Sequence, residues 1–161
     1  MVTAEQLYEK LKDIHVGNPV CQFTKENCEL LLPTIERIEK IKREKNAIIL
    51  AHNYIAPQIF YSVADYTGDS YGLSKNAKES DADIIVFVAV RFMAETAKIL
   101  NPKKIVLDPN PYGGCSLADG ITDADVISLR QQFPDHTFVC YINTTASVKA
   151  QCDVCVTSSN V

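Results

Sequence analysis

Two uninterrupted apolar runs, AIILA at 47–51 and IIVFVAV at 84–90, constrain the fold of this chain more than any other feature. A strand with one wet face alternates apolar and polar residues, so a run without alternation reads as a strand covered on both faces. Shorter segments of the same type stand at 105–107, 137–142 and 154–157, and helical segments fall between them at 57–66, 70–79, 92–100 and 123–132. Ahead of the first run, Ile35, Ile38 and Ile41 recur three apart over 34–45. Glu36–Lys40 and Glu39–Arg43 support the remaining surface, and Asn46 ends this amphipathic helix. Asn101-Pro102 and Pro134-Asp135 close two later helices. Strands alternating with helices imply an α/β fold built of three-layer αβα domains with short parallel sheets.

The Pro- and Gly-rich stretch DPNPYGGCSLADG at 108–120 marks the expected domain boundary. Residues 1–117 then form a first αβα domain with N-terminal helices and three strands. Residues 118–161 hold only two strands, a poor core, and are expected to be an incomplete second αβα domain.

The net charge of −4, with Lys and Arg interleaved with Glu, argues against a nucleic-acid or anionic-membrane surface, since binding phosphates needs clustered positive charge. The run 84–90 is far shorter than the ~20 residues that cross a bilayer, and the start MVTAEQLYEKLKD lacks the order of a secretory signal. A cytoplasmic protein is expected. Of six cysteines (Cys21, Cys28, Cys115, Cys140, Cys152, Cys155), any one alone reads first as a small buried hydrophobe.

Ligands of an open parallel sheet bind beyond the carboxyl ends of its strands. That rule selects His52, Asn53 and Tyr54 after the first run, Arg91 and Phe92 after the second, and Gly113-Gly114-Cys115 after the third. It then selects Tyr141, Asn143, Thr144 and Thr145, and finally Ser158, Ser159 and Asn160. Polar residues at strand ends are also what ordinary surface loops carry, and a lone His there is more often a hydrogen-bonded structural residue. Cys115 stands apart because Ser116-Leu117-Ala118-Asp119 reads as the first turn of a helix, which would expose the thiol and favour its thiolate. No neighbouring His or Cys completes a zinc set. Cys152-x-x-Cys155 leads into a strand instead of opening a helix, so both read as structural. Tyr54 precedes Ser70 by sixteen residues and Tyr141 precedes Ser158 by seventeen, an echo that suggests a duplicated small domain.

Several stretches together resemble the quinolinate synthase A family: Ala51–Tyr54 (AHNY), Ala64–Ser70 (ADYTGDS), Val90–Pro102 (VRFMAETAKILNP), Gly114–Ala118 (GCSLA), Tyr141–Thr144 (YINT) and Val156–Asn160 (VTSSN). The resemblance runs from about Thr34 to the last residue. It implies three similar αβα domains around a pseudo-threefold axis, and a [4Fe–4S] cluster held by one cysteine from each. Cys115 resembles the first of these ligands, and the open iron would act as a Lewis acid. The implied reaction condenses iminoaspartate with dihydroxyacetone phosphate to quinolinate, phosphate and water. By resemblance, His52 binds the three-carbon substrate, Tyr54 moves a proton during carbonyl isomerisation, and Ser70 and Ser158 hold carboxylate or phosphate oxygens. Tyr141 and Asn143 line the pocket, and Arg91–Glu95 form its structural wall.

The family's second and third cluster cysteines have no counterpart here, and one thiolate holds such a cluster poorly. The chain is therefore expected to be inactive alone: a truncated reading frame, a fragment, or one half of a split enzyme with a complementing C-terminal chain. A non-catalytic binding or assembly module derived from the family is the alternative. A thiol redox protein using Cys152 and Cys155 is a third reading, removed unless those thiols are unusually acidic.

Overall fold

The computed structural model describes residues 1–15, 23–158 and 160–161, with the side chains of Ser70, Tyr71 and Ser74 excepted. In chain order the elements are α1 (Ala4–Leu11), α2 (Lys25–Glu44), β1 (Ala47–His52), α3 (Pro57–Phe60), β2 (Tyr66–Gly68), α4 (Ser70–Glu79) and β3 (Ile84–Val88). They continue with α5 (Arg91–Leu100), β4 (Ile105–Leu107), α6 (Asp123–Gln132), β5 (Val139–Tyr141), α7 (Ala146–Ala150) and β6 (Val154–Val156). The first four strands form one sheet in the order β2-β1-β3-β4, the last two form another, and every pairing is parallel.

The apolar runs are strands because both of their faces are covered. Leu50 of β1 and Ile85 and Phe87 of β3 pack with Leu73, Ala77, Phe92 and Ala97 of α4 and α5. The alternate residues Ile49, Val86 and Val88 turn to the opposite layer, where they meet Leu7, Leu11, Cys28 and Ile35 of α1 and α2. Cys28 is thus a buried hydrophobe, and burial raises its thiol pKa. Cys21 lies outside the described residues. Among the described residues no helix is long and apolar enough to cross a membrane.

Several elements differ from the sequence expectation, among them a short helix at Ala146–Ala150 that it does not include. The helix expected over 34–45 starts at Lys25, where the Thr24 hydroxyl accepts from the Asn27 N–H at 3.2 Å. Pro33 sits inside it, and the packing of Leu31, Leu32, Ile35 and Ile38 outweighs the one lost backbone bond. It ends as expected: Asn46 adopts φ +46, the left-handed conformation that closes helices. The helix expected over 57–66 stops at Phe60, and Tyr66–Gly68 is instead an edge strand, giving the first sheet four strands and not three. Asp65 causes the change, since its N–H donates to the Ile49 carbonyl at 2.9 Å and its carboxylate accepts from the Ile49 N–H at 2.7 Å. Buried Lys42 holds the same corner, donating to the Val63 carbonyl at 2.8 Å and pairing with Glu39 and Asp65 at 2.8 and 2.9 Å.

The helical turn expected to open a helix after Cys115 remains a turn. One bond from the Asp119 N–H to the Cys115 carbonyl at 2.8 Å closes it, and residues 116–120 are turns throughout. The Asp119 carboxylate folds back to accept from the Cys115 N–H at 3.0 Å. Gly114 permits this, because a Cβ there would lie 2.7 Å from that carboxylate oxygen. The helix end that was to favour the thiolate does not exist, and a negative carboxylate occupies the position.

Candidate functional site

β1 delivers His52 to the carboxyl end of the first sheet, where a turn closes with the Ile55 N–H donating to the His52 carbonyl at 3.2 Å. The His52 ring is buried, and its Nδ1 accepts from the Tyr54 N–H at 3.3 Å. The proton of the neutral imidazole therefore sits on Nε2, which is left to donate. Tyr54 is 80% exposed and stacks edge-on against His52, with ring centroids 4.2 Å apart. Burial lowers the His52 pKa, and the charge of nearby Asp69 only partly opposes it. Asp69 caps α4, its carboxylate accepting from the Gly72 N–H at 2.8 Å. Ser70 opens that helix, but its side chain lies outside the described residues.

A buried imidazole of lowered pKa sets a pH dependence with a definite sign. The unfolded chain takes up its proton as pH falls through the ordinary value of 6.5, while the folded chain still resists it. Stability contributed by His52 is complete above that pH and drains away as pH falls toward the folded pKa. In urea titrations between pH 7.5 and 5, a His52→Gln variant is expected to lose less stability on acidification than the parent. Equal losses in the two proteins would show that His52 is not the titrating group.

The second sheet presents the other half of the selected residues. Tyr141 ends β5 and Ser158 follows β6 by two residues; their hydroxyl oxygens lie 3.5 Å apart. The loop after Tyr141 is fastened at both ends. The Thr144 hydroxyl donates to the Tyr141 carbonyl at 3.0 Å, and the Lys149 ammonium donates to the Thr144 carbonyl. Glu95 of α5 accepts from the Ala146 N–H at 2.7 Å. Lys149 also lies over the Phe92 ring, 5.7 Å from its centroid, and burial lowers its pKa. The expected structural wall Arg91–Glu95 thus holds the Tyr141–Asn143 loop in place, chiefly through Glu95 and Phe92.

These contacts frame a cavity of about 470 Å³ between the β5 and β6 exits, the side of α5 and the start of α4. Tyr141, Asn143 and Ser158 line it together with Asp69, Phe92 and Met93. Its volume falls within the 300–1,000 Å³ typical of small-molecule sites. It offers hydroxyl and amide donors over an apolar wall, and no Lys or Arg is among its described lining residues. A hollow of about 540 Å³ elsewhere is an open dent along α1, lined by Val2, Glu5, Gln6, Glu9 and Lys10, and no strand end reaches it.

Of the seven residues given a role by resemblance (His52, Tyr54, Ser70, Cys115, Tyr141, Asn143 and Ser158), Tyr141, Asn143 and Ser158 share one cavity, with Asp69, next to Ser70 in sequence, at its edge. His52 and Tyr54 stack on one another and line a separate part of the sheet end. Cys115 is half-buried against the first core cluster, on the loop after β4, and lines none of these hollows. Sequence reasoning passed over Asp69, although its place just before a helix is the usual signature of an N-cap.

Strand register revises the internal echo. His52 with Gly68 and Tyr141 with Val156 are the last pairs of their ladders, so Tyr54 and Ser70 each follow the first ladder by two residues, as Asn143 and Ser158 follow the second. The positional counterpart of Tyr54 is Asn143, and that of His52 is Tyr141. Matching Tyr54 to Tyr141 by residue type was out of register.

The Cys152-x-x-Cys155 pair has the wrong electrostatics for a redox catalyst. Burial, reinforced by the neighbouring Cys140 thiol, pushes Cys152 up to about 11, and burial likewise raises Cys155. Catalytic thiols are shifted the other way, which removes the third reading. Among the described residues no group of three or more His, Cys, Asp or Glu side chains could hold a metal ion.

A family model described as NadA, quinolinate synthetase A protein, matches residues 36–161. The quinolinate synthase of Sinorhizobium medicae is 48% identical over 157 residues, covering 98% of this chain and 42% of the relative. That of Aquifex aeolicus is 54% identical over 139 residues, covering 86% of this chain and 42% of its own length. A Caulobacter vibrioides quinolinate synthase is 55% identical over 128 residues, covering 80% and 35%. The chain spans about two fifths of the length of the curated relatives it matches.

Proposed function

Because the chain belongs to the quinolinate synthase A family, we propose that it carries part of the active site of a quinolinate synthase. That enzyme of NAD biosynthesis condenses iminoaspartate with dihydroxyacetone phosphate into quinolinate, phosphate and water. The observation that carries the reading is the cavity at the carboxyl ends of β5 and β6, which brings Tyr141, Asn143 and Ser158 together in a chain of this family.

Each residue then has a chemical part. The hydroxyl of Ser158 and the amide of Asn143 donate to carboxylate or phosphate oxygens, with Tyr141 closing the cavity above them. Without a lining cation, and with the Asp69 carboxylate capping α4 at the cavity edge, anion binding rests on such neutral donors, among them Ser70 at the start of that helix. His52, neutral and protonated on Nε2, donates to a carbonyl or hydroxyl oxygen of the three-carbon substrate. Tyr54, at hand beside it, is the acid–base group for carbonyl isomerisation.

The described residues do not fit a [4Fe–4S] cluster. Cys115 offers one thiol, Cys28 is sealed in the core, and Cys140, Cys152 and Cys155 gather around the second sheet. No step is therefore assigned to the cluster. In this reading Cys115 is the single ligand these residues contribute, and the others come from outside them.

The test is a titration of dihydroxyacetone phosphate into the 161-residue chain, followed by NMR. Saturable binding is expected, weakened about tenfold or more by Asn143→Ala and by Ser158→Ala, the scale of one hydrogen bond to a charged group. Binding that neither substitution alters would place the ligand elsewhere.

A further inference from the structure

The sequence offers Cys152 and Cys155 as a pair, but the fold offers a different one. In the parallel register of β5 and β6, Cys140 lies directly opposite Cys155. Neighbouring strands run about 4.8 Å apart, and paired residues point to the same face. That separation lies inside the roughly 4.4–6.8 Å window of Cα distances that a disulfide spans. Cys155 is the middle residue of β6, whereas Cys152 precedes the strand by two residues, just after the turn that follows α7. Cys152 lies outside the ladder, ahead of the bend at Asp153, and although its thiol also touches Cys140, only Cys155 stands in register opposite Cys140. The Asp153 and Val154 N–H groups both donate to the Phe138 carbonyl, at 2.8 and 3.3 Å, which fixes that stretch of backbone against β5.

We infer that Cys140 and Cys155 form a reversible cross-strand disulfide in the presence of a small-molecule disulfide, in preference to the Cys152–Cys155 pair suggested by their spacing. Exposed Cys155 meets the oxidant first, and buried Cys140 completes the bridge. The Cys155 thiolate attacks one sulfur of oxidised glutathione, and the first glutathione leaves. The Cys140 thiol then gives its proton to solvent, and its sulfur displaces the second glutathione. Two protein thiols are oxidised by two electrons and one glutathione disulfide is reduced to two thiols. The raised thiol pKa at Cys155 slows the first attack at neutral pH, and a thiol of high pKa is also a poor leaving group. The bridge is therefore slow to form and resists reduction, a latch and not a catalyst. It ties β5 to β6 immediately before Tyr141 and three residues before Ser158, and it is independent of the functional reading above.

The folded 161-residue chain is incubated with excess oxidised glutathione, its remaining thiols are alkylated, and the peptides are mapped by mass spectrometry. Trypsin at Lys149 and endoproteinase Asp-N ahead of Asp153 place the three cysteines on separate peptides. The expected result is one linked peptide pair joining Cys140 to Cys155, loss of two free thiols, and their return with dithiothreitol. Cys152→Ser is expected to leave the bridge intact, and Cys155→Ser to slow oxidation of Cys140 at least tenfold. The same reaction in guanidinium should favour Cys152–Cys155, since closing the shorter loop of an unfolded chain costs less entropy. A Cys152–Cys155 or Cys140–Cys152 bridge in the folded protein, a glutathione adduct left unresolved on Cys155, or no thiol loss would overturn the inference.

Discussion

Reconstituted anaerobically with iron and sulfide, the 161 residues are expected to yield no stable [4Fe–4S] spectrum and no quinolinate. The reason is a shortage of thiolates in one place. Such clusters are held by three or four cysteines, and among the described residues Cys115, on the loop after β4, belongs to no group of three or more metal-ligating side chains. Cys28 packs against α1 and the far side of β1, fully buried. Cys140 and Cys155 point to one face of the second sheet and engage each other and Cys152. When residues supplying further ligands are added in trans, Cys115→Ala is expected to remove both the cluster absorbance and product formation. A sister variant, Cys152→Ser, should retain both. A brown, stable cluster with quinolinate formation by the chain alone would sink the proposal of shared ligation.

Lys42→Ala is expected to lower the unfolding free energy by about 2–3 kcal/mol, a large share of the 5–15 kcal/mol that holds a typical domain. Its ammonium is buried and bonds three groups at once: the Val63 carbonyl, Glu39 and Asp65. Removal leaves Asp65 without this cation and Glu39 with only its long, 4.0 Å pair to exposed Arg43, a situation that costs more than the pairs gain when intact. Asp65 keeps about a third of its side chain in contact with water, so rehydration offsets part of the loss. The consequence reaches the site, because Asp65 ties the chain entering β2 to Ile49, and β2 leads directly into Asp69 and Ser70. Urea denaturation measures the stability change, and a loss below about 1 kcal/mol would mean that the three contacts are not cooperating. Lys42→Met, which keeps the stem but drops the charge, should fall between the two.

What could be read ahead of the structure divides by range of interaction. The strands at 47–52, 84–88, 105–107, 139–141 and 154–156, and the helices at 70–79 and 123–132, were legible because each carries its signal within one segment. The three-residue strand Tyr66–Gly68 was not. Tyr-Thr-Gly has no apolar run, and it becomes a strand only because Asp65 bonds β1 from outside. The short helix Ala146–Ala150 was missed for a similar reason, its start being set by Thr145 from within and by Glu95 from a helix fifty-one residues away in sequence. Residues lining the cavity were selected by their position at strand ends. Their grouping was not visible, since Asp69 and Ser158 meet only across two separate sheets.

By itself, then, the amino-acid order determined the alternation of strands and helices, the parallel sheet class and the family, each of them a matter of local periodicity or contiguous motif. The tertiary structure alone decided that Asn143, not Tyr141, takes the place of Tyr54, that Cys140 faces Cys155, and that Cys115 begins a turn capped by a carboxylate instead of a helix. Those facts depend on register and on contacts between distant segments. Hydrogen bonds across strands fix both, and no window of neighbouring residues encodes them.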